Sequence, residues 1–168
     1  FDYEYDFDDN GIKINYYKST GKTEYDSFGS DLSQDHVDNH LNVELSKTYS
    51  NSDLSIFYKR KGNEINQSSA NATDYTHTKI DKFGFNYSIY QKETDYITTG
   101  FEYTDEAMYE LSYGTSFKTS NNISEYFLSA NSSISNRLMT NYGIRYINHS
   151  VFNDHLTGNF NLGFYYNP

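Results

Sequence analysis

The chain has no cysteine and no tryptophan, a single proline, and nowhere a run of 18 consecutive apolar residues. Without cysteine, disulfides and thiolate metal centres are excluded, and the redox compartment stays open. Without a long apolar run there is no transmembrane helix, and no secretory leader is recognisable at the start. Basic clusters are missing too: 13 Lys and Arg stand against 23 Asp and Glu, for a net charge of -10, so nothing gathers to neutralise phosphates, which argues against nucleic-acid binding. The apolar fraction of 36% over 168 residues is thin for a water-soluble core of that length. Mean hydropathy, at -0.84, agrees.

What is abundant is aromatic. Nineteen Tyr and twelve Phe rule out the composition of a disordered chain, which is poor in such residues. They are placed with period 2. In residues 137–166 Leu138, Thr140, Tyr142, Ile144 and Tyr146 alternate with Met139, Asn141, Gly143 and Arg145. After a polar loop, Leu156, Gly158, Phe160, Leu162, Phe164 and Tyr166 alternate with Thr157, Asn159, Asn161, Gly163 and Tyr165. Successive strand side chains point to opposite faces, so each segment has one greasy, aromatic face and one polar, glycine-spotted face.

The same pattern recurs along the chain. It predicts strands over residues 1–8, 12–19, 37–47, 54–61, 79–90, 96–104 and 123–131, before the two of the closing hairpin. Asp9-Asn10-Gly11 reads as a hairpin turn, because Asn and Gly both tolerate positive φ. Residues 20–36, 62–75, 105–120 and 147–155 read as long polar loops, although Tyr109, Leu111 and Tyr113 hint that strand pattern continues into the third. The connections between them, near Asp9, Ser50, Glu93 and Ser133, are short.

Nine strands with short and long connections in strict alternation place all long loops at one end of an up-and-down meander. The expected fold is all-β: an antiparallel up-and-down transmembrane β-barrel segment with short periplasmic turns and long extracellular loops. Tyr16, Tyr58, Tyr90, Tyr103, Tyr146 and Tyr166 then serve as interfacial girdles. A β-sandwich is the soluble alternative, but it requires neither the regular alternation of connections nor a greasy face on every strand. Nine is an odd number, and an unpaired edge cannot persist in hydrocarbon. Residues 1–168 are therefore expected to form a partial barrel domain within a larger barrel.

The closing residues add a resemblance. Tyr142-Gly143-Ile144-Arg145-Tyr146, then His149-Ser150-Val151-Phe152-Asn153, then residues 157–168, TGNFNLGFYYNP, resemble the recurrent barrel hairpin of TonB-dependent outer-membrane receptors. In that family a Gly-x-Arg-Tyr-Asp strand end precedes a loop with a Phe-Gly pair and a strand of alternating Gly and aromatics. Thr99-Gly100-Phe101-Glu102-Tyr103 is similar to the family's Gly-x-Glu-Tyr strand, while Ile147 stands where Asp is usual and Asn153 where Gly is usual. The resemblance covers residues 96–168 and is pattern-level before them. It implies a 22-stranded barrel plugged by an N-terminal domain, located in the bacterial outer membrane. Such a receptor takes up siderophore-iron, haem, cobalamin or a similar scarce nutrient with energy delivered by TonB through the plug. This chain would supply a middle portion of the barrel, without the plug and the last strands. A passive porin or a small adhesive outer-membrane barrel would use the same strands.

Chemistry-bearing residues are sparse. Asp6-Phe7-Asp8-Asp9-Asn10-Gly11 matches half of an EF-hand loop, but Tyr17 holds the position that needs a bidentate Glu. Asp26, Asp31, Asp35 and Asp38 suggest at most loop-bound calcium, and no other cofactor is indicated. His36, His40, His77, His149 and His155 fall in or near the long loops, where one of them could ligate haem. Nothing pairs a nucleophile with a base, so no enzyme is expected. For ligand contact the aromatic third loop is favoured, with Tyr109, Tyr113 and Phe117 and with His149 nearby.

Overall fold

The computed structural model describes all residues except 8, 28–29, 69–72, 93, 136, 165 and 167–168. Nine strands form one antiparallel sheet in the order of the chain. They are β1 (Asp2–Phe7), β2 (Asn10–Ser27), β3 (Ser30–Tyr49), β4 (Ser52–Ser68), β5 (Thr73–Tyr90), β6 (Tyr96–Ser112), β7 (Thr115–Ser135), β8 (Leu138–His149) and β9 (His155–Phe164). No helix occurs among the described residues. Each strand contacts only its sequence neighbours, which leaves β1 and β9 as the two edges.

The expected strand count and the up-and-down order agree with this sheet, but among the described residues most of the predicted long polar loops are strand. Strand β2 runs on to Ser27 and β3 begins at Ser30, so most of residues 20–36 are paired sheet. Residues 62–68 belong to β4 and residues 73–75 to β5. In place of the third loop β6 and β7 meet in a two-residue turn, Tyr113-Gly114, with φ of 48° and 77°. Among the described residues the last excursion alone stays irregular, and it shrinks to residues 150–154. The reason is that a ladder is held by backbone hydrogen bonds, which polar side chains do not interrupt once a hairpin is in register. The Asn10-Gly11 turn moves as well. Phe7 of β1 pairs with Asn10, which makes Asn10 and Gly11 part of β2 and moves the turn ahead of them.

Register places every greasy face on one side. A row across the sheet reads Ile12, Leu45, Ile56, Phe85, Phe101, Tyr126, Tyr146 and Leu156, each directly opposite the next. On the other side Lys13, Glu44, Phe57, Gly84, Glu102 and Glu125 form a parallel row. Among the described residues no second layer covers either face to enclose a core. Among the described residues the buried hydrophobic ones are Phe57 and Ala130, whereas Phe83, Tyr126, Leu128 and Ile144 are about half exposed at 48–52%. In a β-sandwich such residues would face a second sheet across about 10 Å.

Two rings on the polar side do find cover, above glycines. Phe57 stands opposite Gly84 and Phe127 opposite Gly100. A Cβ on Gly84 would lie 2.8 Å from the tip of Phe57. Each glycine therefore lets the neighbouring ring lie flat across the strand, an aromatic cover over exposed backbone.

Candidate functional site

The apolar face is a belt confined to one half of the sheet's height. On β2 it spans Ile12 to Tyr16, on β4 Leu54 to Tyr58, on β5 Phe83 to Ile89, on β6 Ile97 to Tyr103, and on β8 Leu138 to Tyr146. Nine residues at ~3.3 Å each, tilted by roughly 45°, rise about 20 Å. Beyond the belt, toward the long hairpins, the same face becomes polar. Tyr16 is followed there by Lys18, Tyr58 by Arg60, Phe83 by Asp81, Tyr103 by Asp105 and Tyr146 by Asn148.

Aromatic rings mark that border. Phe83 lies 5.2 Å from Tyr103 and 6.0 Å from Phe101, and Phe101 lies 4.9 Å from Tyr126, which is 6.3 Å from Tyr146. Such tilted pairs each add ~0.5–1.5 kcal/mol beyond simple burial. Their hydroxyls reach past the belt: Tyr58 donates to Asp81 at 2.6 Å and Tyr146 to Asp154 at 2.7 Å. Amphipathic rings with one greasy side and one anchored polar end suit a boundary between hydrocarbon and water.

Asp81 is the polar hub just beyond the belt. Arg60 reaches it in a fork, Nε to Oδ1 at 2.6 Å and a second nitrogen to Oδ2 at 3.3 Å, and Lys79 adds an ammonium at 2.6 Å. The Arg60 hydrogen bond above all, then those from Lys79 and Tyr58, holds the Asp81 carboxyl well below the usual carboxylate range, overcoming the opposing effect of partial burial. At the other end of the sheet Asp95 ties the β5–β6 turn to β7. Its Oδ1 accepts the Ser133 backbone N–H at 2.7 Å, and this bond is the main reason its carboxyl is depressed.

The four residues favoured for ligand contact do not form one patch. Tyr109 is on the belt side of β6, far beyond the belt, 5.9 Å from Tyr75, which in turn is 6.2 Å from His77. Phe117 and His149 are on the polar side of β7 and β8. Tyr113 is at the turn tip, 88% exposed, with its backbone N–H bonded to Asp74 at 2.9 Å. His149 holds the 150–154 loop: its Nδ1 accepts the backbone N–H groups of Val151 and Phe152, both at 3.1 Å, and its ring packs 4.6 Å from Phe152. Its Nε2 lies 3.0 Å from the amide nitrogen of Asn121, whose amide oxygen accepts from the Ser150 hydroxyl at 2.9 Å. With Nδ1 engaged by the loop and Nε2 against Asn121 of β7, His149 has no nitrogen left for haem.

The calcium expectation meets a similar division. Asp35 and Asp38 belong to β3 and alternate to opposite faces, and Asp38 accepts from Asn63 at 2.6 Å. The side chains of Asp26 and Asp31 lie outside the described residues. No group of three or more metal-ligating side chains occurs among the described residues. His36, His40 and His155 fall on the polar side and His77 on the other, so register keeps the histidines apart. What sequence reading passed over was the Arg60–Asp81–Lys79 hub. Its only advance signal was a pair of opposite charges, Arg60 and Asp81, each two residues beyond Tyr58 and Phe83.

No family model matches the chain, and no curated protein matches it.

Proposed function

We propose that the chain is part of the wall of a bacterial outer-membrane β-barrel, and that this barrel is a TonB-dependent receptor for a scarce nutrient. The observation that carries the barrel reading is the belt. Apolar side chains occupy one face at matched height on successive strands, half exposed and bordered by aromatic rings, opposite a face of Asn, Glu, Lys and Gly. A one-layer sheet with that much exposed apolar surface is costly in water, at ~25 cal/mol per Å², whereas hydrocarbon on one side and an aqueous lumen on the other suits both faces. Strands of 17–21 residues from β2 to β7 exceed the roughly 9–11 needed to cross a bilayer. The surplus is polar and extends as tall hairpins beyond the girdle, on the side where a receptor would meet its ligand.

The finer step, from barrel to receptor, rests on the resemblance of residues 96–168 to the hairpins of that family. A passive porin or a small adhesive barrel needs the same belt, and energy coupling separates them. The test is the intact mass of the detergent-extracted polypeptide together with solute uptake by cells, with and without a protonophore. A receptor predicts a mass several times 19.6 kDa and uptake that collapses with the proton gradient. A mass near 19.6 kDa with permeation indifferent to the gradient would contradict the receptor reading and leave the passive barrel.

A further inference from the structure

On the polar face, between β2 and β6, a hollow of about 500 Å³ opens over a feature that strand pairing alone disfavours. Lys59 on β4 and Lys82 on β5 are direct cross-strand partners. Like charges placed directly opposite destabilise a sheet. Lys61 follows on the same face, with His40 opposite it on β3. The crowding is conspicuous in a chain carrying ten excess negative charges, where carboxylates to separate the lysines are abundant.

Their partners do not cancel the charge evenly. Lys82 leans to β6 and pairs with Glu102 at 2.5 Å. The ammonium of Lys59 rests over the Phe57 ring at 4.9 Å. Neither Lys59 nor Lys61 has a carboxylate within ion-pair range among the described residues. The other acids of the hollow stand apart from β4: Glu106 is on β6, two strands and about 10 Å away, and Asp2 is on β1, three strands away, where it accepts from the Asn15 amide at 2.9 Å. The β4 side is thus left with two uncompensated ammonium groups. Beside them Asn42 contributes a buried Oδ1 that has no hydrogen-bond partner among the described residues. Tyr17, well exposed and edge-on to His40 at 5.9 Å, forms the rim.

We infer that this hollow binds a small molecule bearing anionic oxygens, carboxylate or phosphate, with Lys59 and Lys61 as its charge partners and Tyr17 and His40 against its body. Ammonium groups on flexible stems act as point charges and accept either oxyanion geometry. The inference requires only that the polar face borders water, so it holds for an energised receptor and for a passive pore alike. The bound molecule supplies the negative charge that Lys59 and Lys61 otherwise lack.

The test titrates the purified full-length protein in detergent, by calorimetry at low salt, with citrate and separately with inorganic phosphate. Saturable binding of either anion is expected. Replacing both lysines, Lys59→Gln with Lys61→Gln, should weaken it by about tenfold or more, the loss of two charge-assisted contacts. Lys18→Gln, which removes the same charge from the opposite face, should leave it unchanged. Cold-gel mobility before and after heating confirms that each variant is folded. Citrate binding without phosphate binding assigns the site to carboxylates, and the reverse assigns it to phosphates. No saturable binding of either anion up to ~10 mM, equivalent to an affinity below about 3 kcal/mol, would overturn the inference, as would equal affinity in the folded double variant.

Discussion

Gly100 and Phe127 face each other across β6 and β7, and the Phe127 ring occupies the space that a side chain on Gly100 would need. A Cβ there would overlap the ring and approach the Phe85 carbonyl oxygen to 2.6 Å. Because the second neighbour is backbone, moving the ring alone does not make room. Gly100→Ala should lower the unfolding free energy by about 1–3 kcal/mol, read from urea unfolding in detergent or lipid. Phe127→Ala made in the same chain should recover only part of the loss, and full recovery would mean that the Phe85 backbone yields.

Asp81 gives the hub a defined pH dependence. Its folded carboxyl titrates below the unfolded value, so its stabilisation is complete above the unfolded pKa of about 3.9 and is lost as pH falls below that value. Asp81→Asn should destabilise the protein at neutral pH, and the difference from the parent should shrink as pH drops from about 5 toward 3. Thermal midpoints of both proteins across that range check it. A gap that stays constant with pH would mean that Asp81 contributes through shape rather than charge.

Tyr113 pays a conformational cost at an exposed turn. A left-handed L-residue costs roughly 1–2 kcal/mol, and Asn or Gly relieves much of it. Tyr113→Asn should therefore raise stability by about 0.5–1 kcal/mol. If the same variant also retains full solute affinity, Tyr113 has no part in binding.

His149 is assigned to the loop rather than to a metal. His149→Leu removes both acceptor bonds to Val151 and Phe152 and should make residues 150–154 a site of rapid proteolysis, while leaving any haem spectrum unchanged. A spectral change with an intact loop would reverse that assignment.

The count of strands and the face of each residue were legible because apolar residues alternate with polar ones wherever the belt runs, and period 2 admits no other reading. Strand ends at the tall hairpins were not legible. In residues 19–27, STGKTEYDS, both faces are polar, so the signal that marks a strand vanishes while the backbone ladder continues. The ligand patch failed for a related reason. Whether Tyr109 and Phe117 share a face depends on the length of the turn between them, and the two-residue turn at Tyr113-Gly114 puts them on opposite sides. Asn10-Gly11 misled in the other direction, since register rather than turn propensity fixed the pairing of Phe7 with Asn10. The lysine hollow was hidden because Lys59 and Lys82 meet only once β4 and β5 are aligned.

The central claim is that one face of this sheet meets hydrocarbon and the other meets water, and Leu128 with Ser129 offers the most direct test. The two residues are adjacent on β7 and point to opposite faces, Leu128 opposite Ile144 in the belt and Ser129 opposite Gly143 on the polar side. The measurement is the folding free energy of the full-length protein into lipid vesicles, for Leu128→Arg and for Ser129→Arg. The belt reading predicts a loss of about 2–4 kcal/mol for the first and about 1 kcal/mol or less for the second. Equal losses, or a Leu128→Arg protein that folds as a monomer in buffer without detergent, would contradict it.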